Sequence, residues 1–144
     1  MKVLVTGTEG YLGCLLAPML IDAGHEVVAV DSGFYKNGWL YNGVDRTPVT
    51  LAKDIRRLEA ADLEGVDAVV HMAELSNDPI GDLIGDVTYD INHAGSVHLA
   101  EVARAAGAGM ELEPVYTGKA LAAIRDLGPG WGDPVLWLNT HGPR

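Results

Sequence analysis

Residues 7–13 read Gly7-Thr8-Glu9-Gly10-Tyr11-Leu12-Gly13. Before them lies a short apolar run, residues 2–6, with the look of a buried parallel strand. After them Leu12, Leu15, Leu16, Met19 and Leu20 recur at helical spacing, and Gly24-His25 ends the pattern. Residues 26–31, Glu-Val-Val-Ala-Val-Asp, form a second apolar run. This is strand, glycine turn, helix, strand in about 30 residues, the size of one βαβ unit. Glycine at positions 7, 10 and 13 suits three demands. The chain must turn sharply off the strand, the turn must admit close approach of another group, and the helix must sit tightly on the strand.

A glycine turn that opens a helix presents amides and the positive end of the helix dipole to an anion. With an acid at the end of the next strand, the pattern is that of a dinucleotide site. Asp31 is placed to accept both hydroxyls of an adenosine ribose and to repel a 2′-phosphate, which favours NAD over NADP. Ser32 and Gly33 follow it, with no adjacent Arg to hold a phosphate. The plainer alternatives are a turn kept for packing and a solvated turn Asp. Asp54 and Ile55 fall where a loop could cover an adenine, one by polar contact and one by packing. His71 lies in an apolar strand, where a lone histidine is more often a satisfied core residue than a ligand. Ser76, Asp78 and His71 do not read as a triad, because no nucleophile elbow is present. Five scattered histidines give no metal spacing.

Farther along, residues 49–51 suggest a short third strand, Arg57 to Ala61 a short helix, and residues 68–73 a fourth strand. Ser76 to Asp86 reads as a polar loop. A long helix is expected over residues 88–106, with Ile91, Gly95, Leu99, Val102, Ala103 and Ala106 inward. Residues 110–113 and 135–138 suggest two more strands, joined by a helix over 117–127. The fold class is α/β: a Rossmann-like three-layer αβα sandwich whose parallel sheet has the expected order 3-2-1-4-5-6. We expect one domain over 1–144, with residues 1–106 as the cofactor half and 107–144 as a strand-helix-strand segment.

The 144 residues suit one core. Hydrophobic residues are 48% and charged residues 21%, which is globular rather than disordered composition. A net charge of -10 without a basic patch argues against nucleic acid or an anionic membrane as partner. Cys14 is the single cysteine, so an intrachain disulfide is excluded. Neither a signal peptide nor a transmembrane run is legible, and the expectation is a soluble, cytoplasmic-type protein. An exposed sheet edge would permit self-association.

Residues 1–106 resemble the extended short-chain dehydrogenase/reductases, the NAD-dependent sugar-nucleotide epimerase/dehydratase group. The resemblance rests on Val5-Thr6-Gly7-Thr8-Glu9-Gly10-Tyr11-Leu12-Gly13, on Asp31, on Lys53-Asp54-Ile55 and on Val70-His71-Met72-Ala73-Glu74. Ser76-Asn77-Asp78-Pro79 and Tyr89-Asp90-Ile91-Asn92 match as well. It implies an NAD site formed by Gly7, Glu9, Gly10, Tyr11, Leu12 and Gly13, with Asp31 on the ribose, Asp54 and Ile55 by the adenine, and Ala73 behind the nicotinamide. Glu74 departs from the family's usual small residue. In the family, a Ser/Thr and a Tyr-x-x-x-Lys pair farther along the chain carry catalysis. Here Tyr116-Thr117-Gly118-Lys119 misses that spacing by one residue, and no catalytic residue is assigned.

Residues 110–142 resemble a different group, the pyridoxal-phosphate enzymes of the aminocyclopropane-carboxylate deaminase and D-cysteine desulfhydrase family. The matching pieces are Glu111-Leu112-Glu113-Pro114-Val115-Tyr116-Thr117-Gly118-Lys119-Ala120-Leu121 and Val135-Leu136-Trp137-Leu138-Asn139-Thr140. The Schiff-base lysine of that group has no counterpart, which disfavours pyridoxal phosphate as a cofactor. The two resemblances together give the leading expectation: a recombined or designed chimera joined near Gly107 to Met110, holding NAD weakly or vestigially and not an enzyme. The alternatives are an NAD-dependent sugar-nucleotide epimerase/dehydratase, as a natural fragment or fusion, and a scaffold that binds no ligand.

Overall fold

Val3, Leu4 and Val5 are almost fully buried at the centre of a parallel sheet. Their strand, β1 (Lys2–Thr6), pairs on one side with β2 (Glu26–Asp31) and on the other with β4 (Ala68–His71). Val5 is opposite Ala29 in one neighbour and Val70 in the other. A short β3 (Thr50–Ala52) pairs with β2, with Ala29 opposite Thr50. The computed structural model describes residues 1–36, 48–75, 79 and 83–108. Within them the order is β3-β2-β1-β4, and every pair is parallel. This agrees with the first four places of the expected order. The expected strands at 110–113 and 135–138 and the helix over 117–127 lie outside the described residues.

The two sheet faces are filled differently. Leu4, Val30 and Val69 face a cluster made with Ile55, Leu58, Leu63, Ile91, Leu99 and Ala103. Each large side chain withdrawn from water there contributes about 1.5–3 kcal/mol. Alternation along β1 puts Val3 and Val5 on the other face, where α1 (Gly13–Asp22) crosses from β1 to β2. Here the expected inward face is corrected. Gly13, Cys14, Ala17 and Pro18 are buried, whereas Leu12, Leu15 and Met19 are exposed. The cause is the turn that feeds the helix. A Cβ on Gly13 would stand 1.9 Å from the carbonyl oxygen of Gly7, so α1 sits too close to the strand for leucines and turns its smallest residues inward.

The fourth strand is shorter than the apolar run that announced it. Met72 N still donates to Thr6 O at 3.2 Å, but Glu74 N turns back to Met72 O at 3.0 Å and the chain leaves the sheet. In place of a short helix over 57–61 stand two 3-10 turns, Ile55–Arg57 and Ala60–Leu63. Asp54 caps the first by accepting from Arg56 N, and Asp62 closes a capping box with Glu59 on the second. The long helix begins earlier than expected, as α2 (Gly85–Tyr89). It passes through a π turn, Asp90–Ala94, and continues as α3 (Gly95–Ala105). Ile91, Gly95, Leu99 and Ala103 are buried as expected, and Val102 and Ala106 pack partly buried against the same core. Ser96 and Ala100 join them. Among the described residues no helix is long and apolar enough to cross a membrane.

Candidate functional site

The first βα turn is shaped by its own backbone. Gly7 has φ +77°, and its N–H donates to Val30 O at 2.9 Å, tying the turn to β2. A Cβ on Gly7 would meet the Met72 carbonyl at 2.8 Å. Gly7 and Gly13 are therefore required by the fold itself. Gly10 differs: its Cβ would touch only Gly7 O, at 3.2 Å, and it borders open space. No side chain caps α1 at Leu12, and its first turn carries no acid. That arrangement leaves the amide end of a helix to an outside anion.

Gly7 and Gly10 line an open cleft of about 560 Å³ at the carboxyl ends of the strands. Asp31, Asp54, Ile55 and Ala73 line the same cleft, so six of the expected residues come together. The remaining four, Glu9, Tyr11, Leu12 and Gly13, stand behind or beside it. Tyr11 and Leu12 expose their side chains, Gly13 is spent on packing, and Glu9 reaches the site through Asp31.

The Asp31 carboxylate is held by backbone. Oδ2 accepts from Glu9 N at 2.9 Å and Oδ1 from Gly33 N at 2.7 Å. These bonds fix its direction and leave each oxygen a lone pair for a hydroxyl donor. Asp54 is more committed. Oδ1 accepts from Arg56 N at 2.9 Å and Nε at 3.0 Å, and Oδ2 accepts from Arg56 Nη2 at 2.5 Å. Those bonds to Arg56 hold the Asp54 carboxyl below the usual carboxylate range. Arg56 also pairs with Asp90, at the start of the π turn. Ile55 is 4% exposed and serves both the cleft floor and the core.

Several lining residues carried no signal strong enough to assign them. Phe34 and Tyr35 stand half to two-thirds exposed at the rim, and Lys53, Glu74 and Leu75 complete the wall. Aromatics directly after the strand-ending Asp31 were the one available hint. His71 is a core residue, as its setting suggested. It is buried between the Thr6 hydroxyl at 2.6 Å and the Ser96 hydroxyl at 3.0 Å.

The NAD dependent epimerase/dehydratase family matches residues 3–117. A UDP-glucose 4-epimerase from Klebsiella pneumoniae is 30% identical over 117 residues, which cover 74% of this chain and 83% of that protein. Among solved structures, a UDP-glucose-4-epimerase from Stenotrophomonas maltophila with bound NAD is 32% identical. The TM-score is 0.65, and the match covers 78% of this chain and 35% of that one. A dTDP-glucose 4,6-dehydratase from Streptomyces venezuelae, with NAD bound, is 28% identical with a TM-score of 0.63, covering 78% and 38%. The chain thus spans little more than a third of these solved enzymes.

These matches correct two expectations. The family match runs through residue 117, past the join placed at Gly107 to Met110, and nothing in the matches supports a pyridoxal-phosphate segment or a chimera. The expectation that the chain is not an enzyme is overturned as well, because the family and the relatives named here are enzymes. That expectation rested on a missing Tyr-x-x-x-Lys and on the missing Schiff-base lysine of the second resemblance. In a chain that spans 35% of its solved relative, such a gap carries no weight against membership. On the βαβ turn, the strand order and the match over residues 3–117, the chain belongs to the NAD dependent epimerase/dehydratase family.

Proposed function

We propose that this chain is the NAD-binding part of an enzyme that remodels nucleotide sugars by epimerisation or dehydration. The observation that carries the reading is Asp31. Its carboxylate is held by two backbone amides, one from Glu9 in the glycine turn and one from Gly33, in the lining of a cleft that Gly7 and Gly10 also line. In this reading the Asp31 oxygens accept the adenosine ribose hydroxyls, the amide end of α1 faces the pyrophosphate, and Gly10 gives the backbone room to approach it. Ile55 packs by the adenine, and Asp54 holds that loop in place through Arg56 rather than by a free carboxylate. Ala73 stands on the nicotinamide side, with Glu74 next to it in the wall. Bound NAD supplies a hydride acceptor that can return what it takes. The residues described here bind and orient it. The substrate class comes from the relatives, whose names specify UDP- and dTDP-sugars.

The test is a titration with NADH followed by its fluorescence, run on the wild type and on Gly10→Val. Saturable binding that disappears in Gly10→Val, with the fold retained by circular dichroism, supports the reading. Equal titration curves for the two proteins, or no binding at millimolar NADH, reject it.

A further inference from the structure

Glu9 is a poor residue to bury beside a carboxylate, yet it is only 8% exposed and its own N–H donates to Asp31. Its carboxylate is matched by Lys36, whose Nζ lies 3.1 Å from Oε1. The intervening turn makes that pairing. Gly33 takes φ +81°, donates its N–H to Asp31 Oδ1, and accepts the Lys36 N–H at 3.3 Å. A Cβ on Gly33 would stand 3.6 Å from Glu9 Oε2, so the turn folds directly over the Glu9 carboxylate. The Lys36 side chain is 65% exposed while that of Glu9 is 10% exposed. A solvent-facing ammonium is therefore anchored by a buried carboxylate next to Asp31.

A lysine three residues past Gly33, in the turn that follows Asp31 and directly after the lining residue Tyr35, is a cation that could attract a phosphate on the ribose. We propose that Glu9 sets the choice between NAD and NADP by neutralising Lys36, so that no free ammonium is presented to a 2′-phosphate. Asp31 repels that phosphate directly, and Glu9 withholds the cation that would offset the repulsion. Glu9 is a positioning residue here, since it acts through Lys36. The inference rests on the proposed NAD site and adds to it the residue pair that guards its adenosine end.

The experiment measures the ratio of NADPH to NADH dissociation constants by fluorescence titration at low salt, where charge effects are fully expressed. In Glu9→Gln the freed ammonium lowers this ratio about tenfold, the effect of one added charge contact. Adding Lys36→Met to Glu9→Gln returns the ratio to near its wild-type value, which a purely structural role of Glu9 would not produce. Glu9→Asp, which keeps the charge but withdraws it by one methylene, gives a smaller fall in the same direction and serves if Glu9→Gln does not fold. An unchanged ratio in the Glu9 variants, or a fall that persists in the double variant, overturns the inference while leaving the NAD site standing. A wild type that binds neither cofactor overturns the NAD site and the inference together.

Discussion

The Thr6 hydroxyl and His71 Nδ1 lie 2.6 Å apart at the carboxyl ends of β1 and β4, within a buried chain of hydrogen bonds whose direction is fixed. Ser96 Oγ donates to Asn92 O at 2.6 Å, so it must accept from His71 Nε2–H. His71 Nδ1 then accepts from Thr6, and Thr6 Oγ1 accepts the amides of Met72 and Ala73 at 3.2 and 3.3 Å. The same Asn92 uses its side-chain amide to bond both backbone groups of Leu75. The cleft wall from Met72 to Leu75 is thus held from below by one neutral histidine and a helix asparagine.

That chain makes the fold sensitive to acid. Burial pushes the His71 pKa from its ordinary 6.5 down to about 4. Between those values the unfolded chain binds a proton that the folded chain does not, so stability falls as pH drops from about 6.5 toward 4. The loss attributable to this group is about 3 kcal/mol. Urea unfolding across that range should show the slope in the wild type and a flatter profile in His71→Gln. At pH 7, His71→Ala leaves the Thr6 and Ser96 hydroxyls without their buried partner and should cost about 3 kcal/mol.

The glycines of the first turn separate folding from binding. Gly13→Ala forces a Cβ against Gly7 O at 1.9 Å, and it should destabilise the fold by about 3 kcal/mol or leave it unfolded. Gly10→Ala asks its one close neighbour, at 3.2 Å, to give only slightly. It should cost about 1 kcal/mol or less in stability and weaken NADH binding, because the methyl enters the cleft. Thermal melts and NADH titrations of both variants check the separation. Equal melting temperatures for the two would contradict it.

Asp54 is a cap and an anchor. Asp54→Ala removes the acceptor for Arg56 N and the bonds from the guanidinium, and should cost about 1 kcal/mol at neutral pH. The Asp54 carboxyl is held below its usual range by Arg56. Its contribution is therefore present above the ordinary carboxylate pKa and disappears as pH falls below it. Unfolding midpoints of wild type and Asp54→Ala should differ at pH 7 and converge toward pH 2.

The sequence made β1, α1 and β2 legible because two apolar runs flank a turn that only glycine can make. It also made Asp31 legible, since an acid that ends an apolar strand has one obvious orientation. The inward face of α1 was not legible. Leu12, Leu15 and Met19 carry the helical period, and nothing local announces that Gly13 must touch the Gly7 carbonyl. The two 3-10 turns between β3 and β4 are too short to show a period at all. In the cleft, Phe34, Tyr35 and Glu74 arrive on irregular segments, where position follows from backbone bonds rather than spacing. The pairing of Glu9 with Lys36 joins residues from two separate turns and depends on the positive φ of Gly33. No pattern along the chain encodes such a contact.

NAD bound between the glycine turn and Asp31 would lie against backbone amides that report its presence. The most direct measurement follows the backbone amide resonances of the labelled protein during an NADH titration. Saturable shifts that titrate together are expected at Gly7, Gly10, Asp31, Ile55 and Ala73, with their loss in Asp31→Ala. Shifts confined to other surfaces, or none at these five amides up to millimolar NADH, would contradict NAD binding in this cleft.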